Sequence, residues 1–255
     1  MDVFWLEQGE ADLPAGNDWL SAGEVDRLNT MRVPKRRADW RLGRWTAKRA
    51  LSAYLNLPGD HQALTNIEIR PAASGAPEVF IANRPATVAI SLSHCNGSAL
   101  CTVAPSGTAL GCDLELVEPR SDAFVADYFT AEEQALVAQA SAADSSCLAT
   151  LLWSAKESAL KALHEGLRLD TRSVTVSLPE GSATPKPDEE THAANPASAL
   201  GQCCSAWRPL EVRCTRGEVF RGWWQQTGRL LRTLVAAPDP SSPIVLKTTD
   251  EVNVN

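Results

Sequence analysis

The chain has 255 residues, 44% of them hydrophobic, and a formal net charge of −7. That length allows one large domain or two small ones around a sizeable core, and the net acidity argues against a general nucleic-acid binder. Seven cysteines are an odd number with no C-x-x-C pair, so a disulfide framework or zinc ribbon is not expected and a reducing cytosol fits. The vicinal pair Cys203-Cys204 reads as packing. Nothing near the start resembles a signal peptide, and no apolar run approaches the ~18 residues of a membrane span. The expectation is a cytoplasmic monomer with no membrane and no nucleic-acid partner.

A strand over Val3 to Leu6 opens the chain, and a helical stretch starts near Ser21. It continues or restarts as Arg36 to Leu55, with Trp40, Ala47, Leu51 and Leu55 at helical spacing. Leu57-Pro58-Gly59 ends it. Strands are expected at Ile67 to Arg70, Glu78 to Ile81, Val88 to Leu92, Ala99 to Val103 and Ala109 to Val117, with a tight turn at Ser74-Gly75-Ala76-Pro77. Phe129 to Glu133 then opens a helix. Thr130 is a good N-cap and Glu133 closes a capping box, which accounts for Glu132 and Glu133 better than metal binding does. A helix over Cys147 to Leu163 and a strand over Val174 to Leu178 follow. The Pro/Ala/Ser/Thr/Glu-rich stretch 181–201 reads as a flexible insertion. Beyond it, Trp207 to Cys214, Val219 to Gln225 and Arg229 to Val235 form an antiparallel run, and Ala237 to Asn255 a loose tail.

The order strand, helix, strands occurs twice, which suggests two similar α+β lobes joined near Val103 to Thr108. The divisions are 1–105, 106–238 and a tail at 239–255. Charge is uneven. Arg32, Lys35, Arg36, Arg37, Arg41, Arg44 and Lys48 face only Asp39 as an opposing charge between Arg27 and Arg49. This is either a solvated helix face or a local positive field for an anionic ligand.

Ala109 to Leu116 alternates. Leu110, Cys112, Leu114 and Leu116 share one face, and Gly111, Asp113 and Glu115 share the other. Two neighbouring carboxylates on one face repel, and a hard cation such as Mg²⁺ between them would relieve this; a solvated edge strand is the plain alternative. In Trp153 to Lys161, the apolar stripe Leu152, Ala155, Ala159, Leu160 and Leu163 contains Lys156, which either snorkels or has a specific reason to be there. Trp153, Glu157 and Lys161 run along its edge at four-residue spacing, where Glu157 and Lys161 could be an ordinary helical ion pair. Ser91-Leu92-Ser93-His94 ends a strand, and its histidine either grips a phosphate or caps the strand end.

Together these blocks resemble the 4′-phosphopantetheinyl transferase superfamily. The match runs through Gly-Cys-Asp-Leu-Glu (111–115), Trp-Ser-Ala-Lys-Glu-Ser-Ala-Leu-Lys (153–161), Ser-Leu-Ser-His (91–94), Arg27, Gly43-Arg44 and Glu165-Gly166-Leu167. It spans about Val25 to Leu178 and is similar to the two-lobed type typified by surfactin-synthetase activators. The resemblance implies an α+β fold of two similar lobes about a pseudo-two-fold axis, each a small, mostly antiparallel sheet with packed helices. The active site would lie between the lobes, the coenzyme A-binding part in the first and the metal in the second. The implied reaction moves the 4′-phosphopantetheine arm of coenzyme A to a serine of an apo acyl or peptidyl carrier protein, releasing adenosine 3′,5′-bisphosphate. It makes Asp113, Glu115 and Glu157 ligands of Mg²⁺, Glu157 the base and Lys161 the partner of the leaving phosphate. Arg27, Arg44, Arg70, Ser93, His94, Lys156 and Lys161 would contact coenzyme A. One departure is Ala76, where family members often carry lysine in Gly-Lys-Pro; Arg70 or Arg44 would have to compensate. A non-catalytic homologue that binds coenzyme A or a carrier protein is the competing reading. A phosphate-binding loop enzyme is disfavoured, because no Gly-x-x-x-x-Gly-Lys-Ser/Thr sequence is present.

Overall fold

The computed structural model describes residues 1–142, 144–179 and 206–248. The expected insertion at 181–201, Cys203, Cys204 and the final residues 249–255 lie outside them. The chain opens with strand β1 (Phe4–Gly9), then helices α1 (Ala22–Thr30), α2 (Pro34–Leu55) and α3 (His61–Leu64). Strands β2 (Ile67–Pro71), β3 (Pro77–Ile81), β4 (Arg84–Pro85), β5 (Val88–Cys95), β6 (Ser98–Pro105) and β7 (Ala109–Leu116) follow. Helices α4 (Asp122–Tyr128), α5 (Ala131–Gln139) and α6 (Ser145–Ala162) come next. Strands β8 (Val174–Ser177), β9 (Arg208–Cys214), β10 (Val219–Thr227), β11 (Leu230–Ala237) and β12 (Ile244–Val245) complete the described chain. This is a mixed α+β fold whose strands pair antiparallel, apart from the parallel β1–β12 pair.

The sheets run β12-β1-β6-β5, β2-β3-β4 and β7-β11-β10-β9-β8. α2 buries Ala47, Ala50 and Leu51 with Trp45 in one core beside Leu28, Leu64 and Ile67. α6 buries Leu151, Leu152, Ala155, Ala159 and Leu160 in a second core with Phe129, Val212 and Trp224. A third cluster (Val3, Leu100, Ala104, Leu110, Cys112, Leu114, Leu234, Ala236) joins β1 and β6 to β7 and β11. Each fully buried leucine contributes about 1.5–3 kcal/mol from apolar burial. Arg232 of β11 and Glu7 of β1 also form an ion pair across this junction, with Nη2–Oε1 at 2.7 Å.

The same brace is built twice. In the first half Ser21 caps α1, and the Glu24 carboxylate accepts the Ser21 and Ile69 amides. Glu24 also pairs with Lys48 of α2, whose ammonium donates to the Trp19 and Leu64 carbonyls at 3.0 Å each. In the second half Thr130 caps α5, and Glu133 accepts the Thr130 and Val176 amides. Glu133 pairs at 2.8 Å with Lys156 of α6, which donates to the carbonyls of Thr171 at 2.8 Å and of Val174. Both lysines are fully buried. A buried lysine requires a counter-charge and acceptors for its three N–H groups, and each has them.

Two expectations need correction here. Residues 239–248, expected to trail loosely, run back to the amino-terminal strand. Ile244 and Val245 pair with Phe4 and Trp5 of β1, Leu246 and Thr248 are buried, and the Met1 ammonium donates to the Asp239 carbonyl at 2.8 Å. The segment covers the otherwise unpaired edge of β1, which supplies the backbone partners its polar sequence does not advertise. α4 was not expected at all; Ser121 caps it, and Phe124 and Tyr128 stack one turn apart at 4.8 Å. Cys95, Cys101, Cys112, Cys147 and Cys214 are free, as the cysteine spacing suggested. Among the described residues no helix is long and apolar enough to cross a membrane.

Candidate active site

β7 carries the first acid. It is the edge strand of its own sheet, but both its faces are covered, and Leu110 to Leu114 are all buried. The solvated-edge reading of this strand therefore falls. α6 lies directly on the Gly111 face: a β-carbon at Gly111 would stand 1.8 Å from the Ser158 carbonyl oxygen and 2.8 Å from the Ala162 nitrogen. Ser154 and Ser158 face Thr233 of β11 through hydroxyl contacts of 2.9 and 2.7 Å. Glycine and these small side chains let the helix approach closely enough to bring its polar edge to Asp113.

The backbone edge of β7 is capped by side chains. The Cys112 amide donates to Ser91 Oγ at 3.0 Å, and the Cys112 carbonyl accepts from Lys161 Nζ at 2.9 Å. Lys161 also donates to Asp113 Oδ1 at 2.8 Å, and Ser93 Oγ donates to the same oxygen at 2.8 Å. Lys161 thus pairs with Asp113 across the helix–strand seam rather than forming the ordinary helical pair with Glu157. Burial works against the Lys161 charge, but Asp113 and the neighbouring Cys112 outweigh it and hold its pKa above the usual lysine value. Two of its three N–H groups are used, which leaves one for a ligand.

Among the described residues, Asp113 Oδ2 is buried with no hydrogen-bond partner, and so is Glu157 Oε1. Burial raises the Glu157 pKa, with Asp113 and Glu115 adding to the rise and Lys161 opposing it. Glu115 is also raised, first by burial and then by Asp113, with Arg120 and Trp153 opposing. Each of its oxygens accepts one hydrogen bond: Trp153 Nε1 donates to Oε1 and Arg120 Nη2 to Oε2, each at 3.0 Å. Among the described residues, no three ligating side chains converge as a ready metal cluster. The structure brings Asp113, Glu157 and Lys161 together and keeps Glu115 beside them, turned to other partners.

Two clefts meet at this seam. One, of about 540 Å³, is lined by Arg44, Arg70, Lys161, Arg168 and the 74–77 turn that includes Ala76. The other, of about 620 Å³, is lined by Arg27, Arg36, Trp40, Arg44, Ser93 and His94. Arg44 and Leu92 belong to both walls, and Arg44 lies over the Trp40 ring at 4.9 Å. Arg70 is tied to Glu68 at 2.7 Å and Asn83 at 2.6 Å, and covers Phe80 at 4.1 Å. Of the residues expected to contact coenzyme A, six line these clefts. Lys156 is the exception and is corrected: fully buried and committed to Glu133, Thr171 and Val174, it has no donor left for a ligand.

The basic run of α2 likewise divides. Arg32, Lys35 and Arg36 are exposed, whereas Lys48 and Arg49 are buried, so one stretch contains both a positive surface and structural ties. Sequence reasoning missed Arg168, whose guanidinium donates to the His164 carbonyl at 2.8 Å and the Ser74 carbonyl at 3.3 Å, joining two walls of the first cleft. It also missed Arg120. An arginine after a strand end carries little signal, although Arg120 precedes a Ser N-cap and sits i,i+4 from Phe124.

The α+β scaffold sets Lys161, with Asp113 behind it, beside two arginine-lined clefts, an arrangement whose positive charge suits a phosphorylated ligand. Residues 109–200 match the family model of the 4′-phosphopantetheinyl transferase superfamily. No curated protein matches the chain. Among solved structures, Helicobacter pylori holo-[acyl-carrier-protein] synthase in complex with coenzyme A aligns with 41% of this chain and 99% of its own. The identity is 18% and the TM-score 0.28, so that superposition carries no argument.

Proposed function

We propose that the protein transfers the 4′-phosphopantetheine arm of coenzyme A to a serine of an apo acyl or peptidyl carrier protein. The observation that carries the reading is Asp113: buried, held by Ser93 from one cleft and Lys161 from the other, with its second oxygen unpartnered among the described residues. The superfamily match over the same residues supports it. A buried carboxylate oxygen without a donor is free to receive a cation, and oxygen donors suit Mg²⁺. Asp113 and Glu157 would hold it, with Glu115 the third carboxylate of the expected set. When bound, the ion supplies Lewis-acid neutralisation of the diphosphate.

The rest falls to side chains of this chain. Glu157, its pKa raised by burial and Asp113, accepts the proton of the carrier serine, directly or through a water. The serine oxygen bonds to the phosphorus bearing pantetheine, and the bond from that phosphorus to the bridging oxygen breaks. Adenosine 3′,5′-bisphosphate leaves, its new charge met by the Lys161 ammonium. Arg27, Arg44, Ser93 and His94 hold the nucleotide and its 3′-phosphate, with Arg70 and Arg168 on the other wall. Arg168 offers a cation where Ala76 offers none.

The division into lobes at 1–105 and 106–238, related by a pseudo-two-fold axis with the site between them, belongs to the same reading. The twin Glu24–Lys48 and Glu133–Lys156 braces support it. The test is covalent: apo carrier proteins of fatty-acid, polyketide and non-ribosomal-peptide type are incubated with the protein, coenzyme A and Mg²⁺. One pantetheine arm should appear on at least one carrier by intact mass. Tight coenzyme A binding with no modified carrier would favour a non-catalytic binder instead.

A further inference from the structure

The cleft of about 540 Å³ is walled by four cations, Arg44, Arg70, Lys161 and Arg168, and one acid, Glu165. Three of the cations face a carboxylate. Arg44 Nε stands 3.8 Å from Glu24, Arg70 Nη2 2.7 Å from Glu68 and Lys161 Nζ 2.8 Å from Asp113. Glu165 is drawn to Arg216 at 3.3 Å, a residue outside the wall. Arg168 differs. Among the described residues its guanidinium meets only main-chain carbonyls: Nε donates to Glu165 at 3.0 Å, and Nη2 to His164 at 2.8 Å and Ser74 at 3.3 Å. Its charge therefore has no counter-ion there, and both N–H groups of Nη1 are left to a ligand.

The local fold fixes the side chain in this place. His164 at φ 57° and Gly166 at φ 54° are both left-handed, so the chain leaving α6 turns back, with the Glu165 amide on the Leu160 carbonyl at 3.1 Å, a helix ending of the left-handed type. Arg168 then reaches the 74–77 turn, where the Gly75 amide bonds to the Ala72 carbonyl at 2.9 Å and the Ala72 amide to the Ala76 carbonyl at 2.8 Å. A guanidinium already tied at both ends costs a ligand little further ordering.

We infer that Arg168 is a phosphate-binding residue of this cleft, and that the group it holds is the diphosphate of coenzyme A rather than the 3′-phosphate. The choice of phosphate rests on the transferase reading, in which Lys161 of the same wall meets the diphosphate and Arg27, Ser93 and His94 of the second cleft meet the 3′-phosphate. The planar fork of an arginine matches two oxygens of one phosphate.

The test measures Kd on the full-length protein with Mg²⁺ and no carrier, by displacement of a fluorescent coenzyme A. Coenzyme A is compared with dephospho-coenzyme A, which keeps the diphosphate and lacks the 3′-phosphate. Arg168→Gln should raise Kd about tenfold for both ligands, as for one lost charge-assisted contact. Arg168→Lys keeps the charge without the fork and should lose only about threefold. Binding to Arg168→Gln should also depend less steeply on salt than binding to the parent, because one exposed charge is gone. Arg168 is exposed, so both variants should keep the parent Tm within about 2 °C.

A loss under about threefold with both ligands, or a tenfold loss confined to coenzyme A, overturns the inference and leaves the transferase reading intact. Dephospho-coenzyme A that fails to compete for the parent even at millimolar concentration does the same, since the diphosphate would then hold nothing. Equal losses in the Gln and Lys variants with an unchanged salt dependence, or a larger fall in Tm, would make Arg168 a brace of the turn and overturn it too. A parent that binds no coenzyme A sinks the inference and the transferase reading together. The expected pattern in a protein that modifies no carrier would uphold the inference and sink the transferase reading.

Discussion

Replacing Lys156 with methionine keeps the length of the side chain and removes its charge. Lys156 and Glu133 are 0% and 1% exposed, and the lysine donates to Glu133, Thr171 and Val174. The substitution leaves a buried carboxylate without its counter-charge and two carbonyls without a donor. Removing one member of a buried pair costs about 3–5 kcal/mol. At roughly 2–4 °C per kcal/mol for a chain of this size, Tm should fall by about 6–20 °C. Thermal unfolding followed by circular dichroism gives the shift. The double variant Lys156→Met/Glu133→Gln should recover part of it, because no unpaired charge then stays buried, although the Thr171 and Val174 carbonyls still lack a donor. Well below Tm, KM for coenzyme A should stay within about twofold of the parent, since nothing in the clefts has changed. A Tm lowered by under 3 °C together with a tenfold rise in KM would refute the reasoning, because it would mean that Lys156 reaches the ligand after all.

Gly111→Ala puts a methyl group against the Ser158 carbonyl, which is backbone and cannot swing aside. We expect about 1–3 kcal/mol of destabilisation or more in urea and a fall in kcat larger than any change in KM, as α6 withdraws Glu157 and Lys161 from Asp113. Cys147 is buried and its thiol is pushed up to about 11, chiefly by burial. Residue-resolved mass spectrometry should find it unalkylated at pH 8 in the folded protein and reactive only as pH nears that value. Its folded pKa lies above the reference of 9.0, so its contribution to stability is complete below pH 9 and is lost as pH rises through about 11. Ending the chain after Ala237 removes the strand on β1 and the buried Leu246. Leu246 alone should cost about 1.5–3 kcal/mol, measured as a lower urea midpoint.

Local patterns made much of this architecture readable. The alternation of β7 placed Asp113 opposite Leu110, Cys112 and Leu114, and the Thr130/Glu133 box marked the start of α5, because both signals lie within a few residues of their cause. Contacts between distant segments were less legible. No pattern near 239–248 reveals that β1 needs an edge partner, and none near Lys156 reveals that Glu133 waits for it across the fold. The buried lysine was nevertheless visible as an anomaly in an apolar stripe, whereas its twin Lys48 was hidden in a run that read only as basic. Glu115 was the hardest residue, since strand spacing gives it the same face as Asp113. What separates the two is α4, whose aromatic residues fix Trp153 and Arg120, and whose sequence resembled loop.

The central claim is that the Asp113 seam moves a pantetheine arm, and a single-turnover reaction tests it most directly. Protein in excess over an accepted apo carrier is mixed with coenzyme A and Mg²⁺, and holo carrier and adenosine 3′,5′-bisphosphate are counted together. The account predicts that they appear in equal amounts with the parent protein, and that neither appears above background with Asp113→Ala. Transfer by Asp113→Ala at a rate near that of the parent would contradict it.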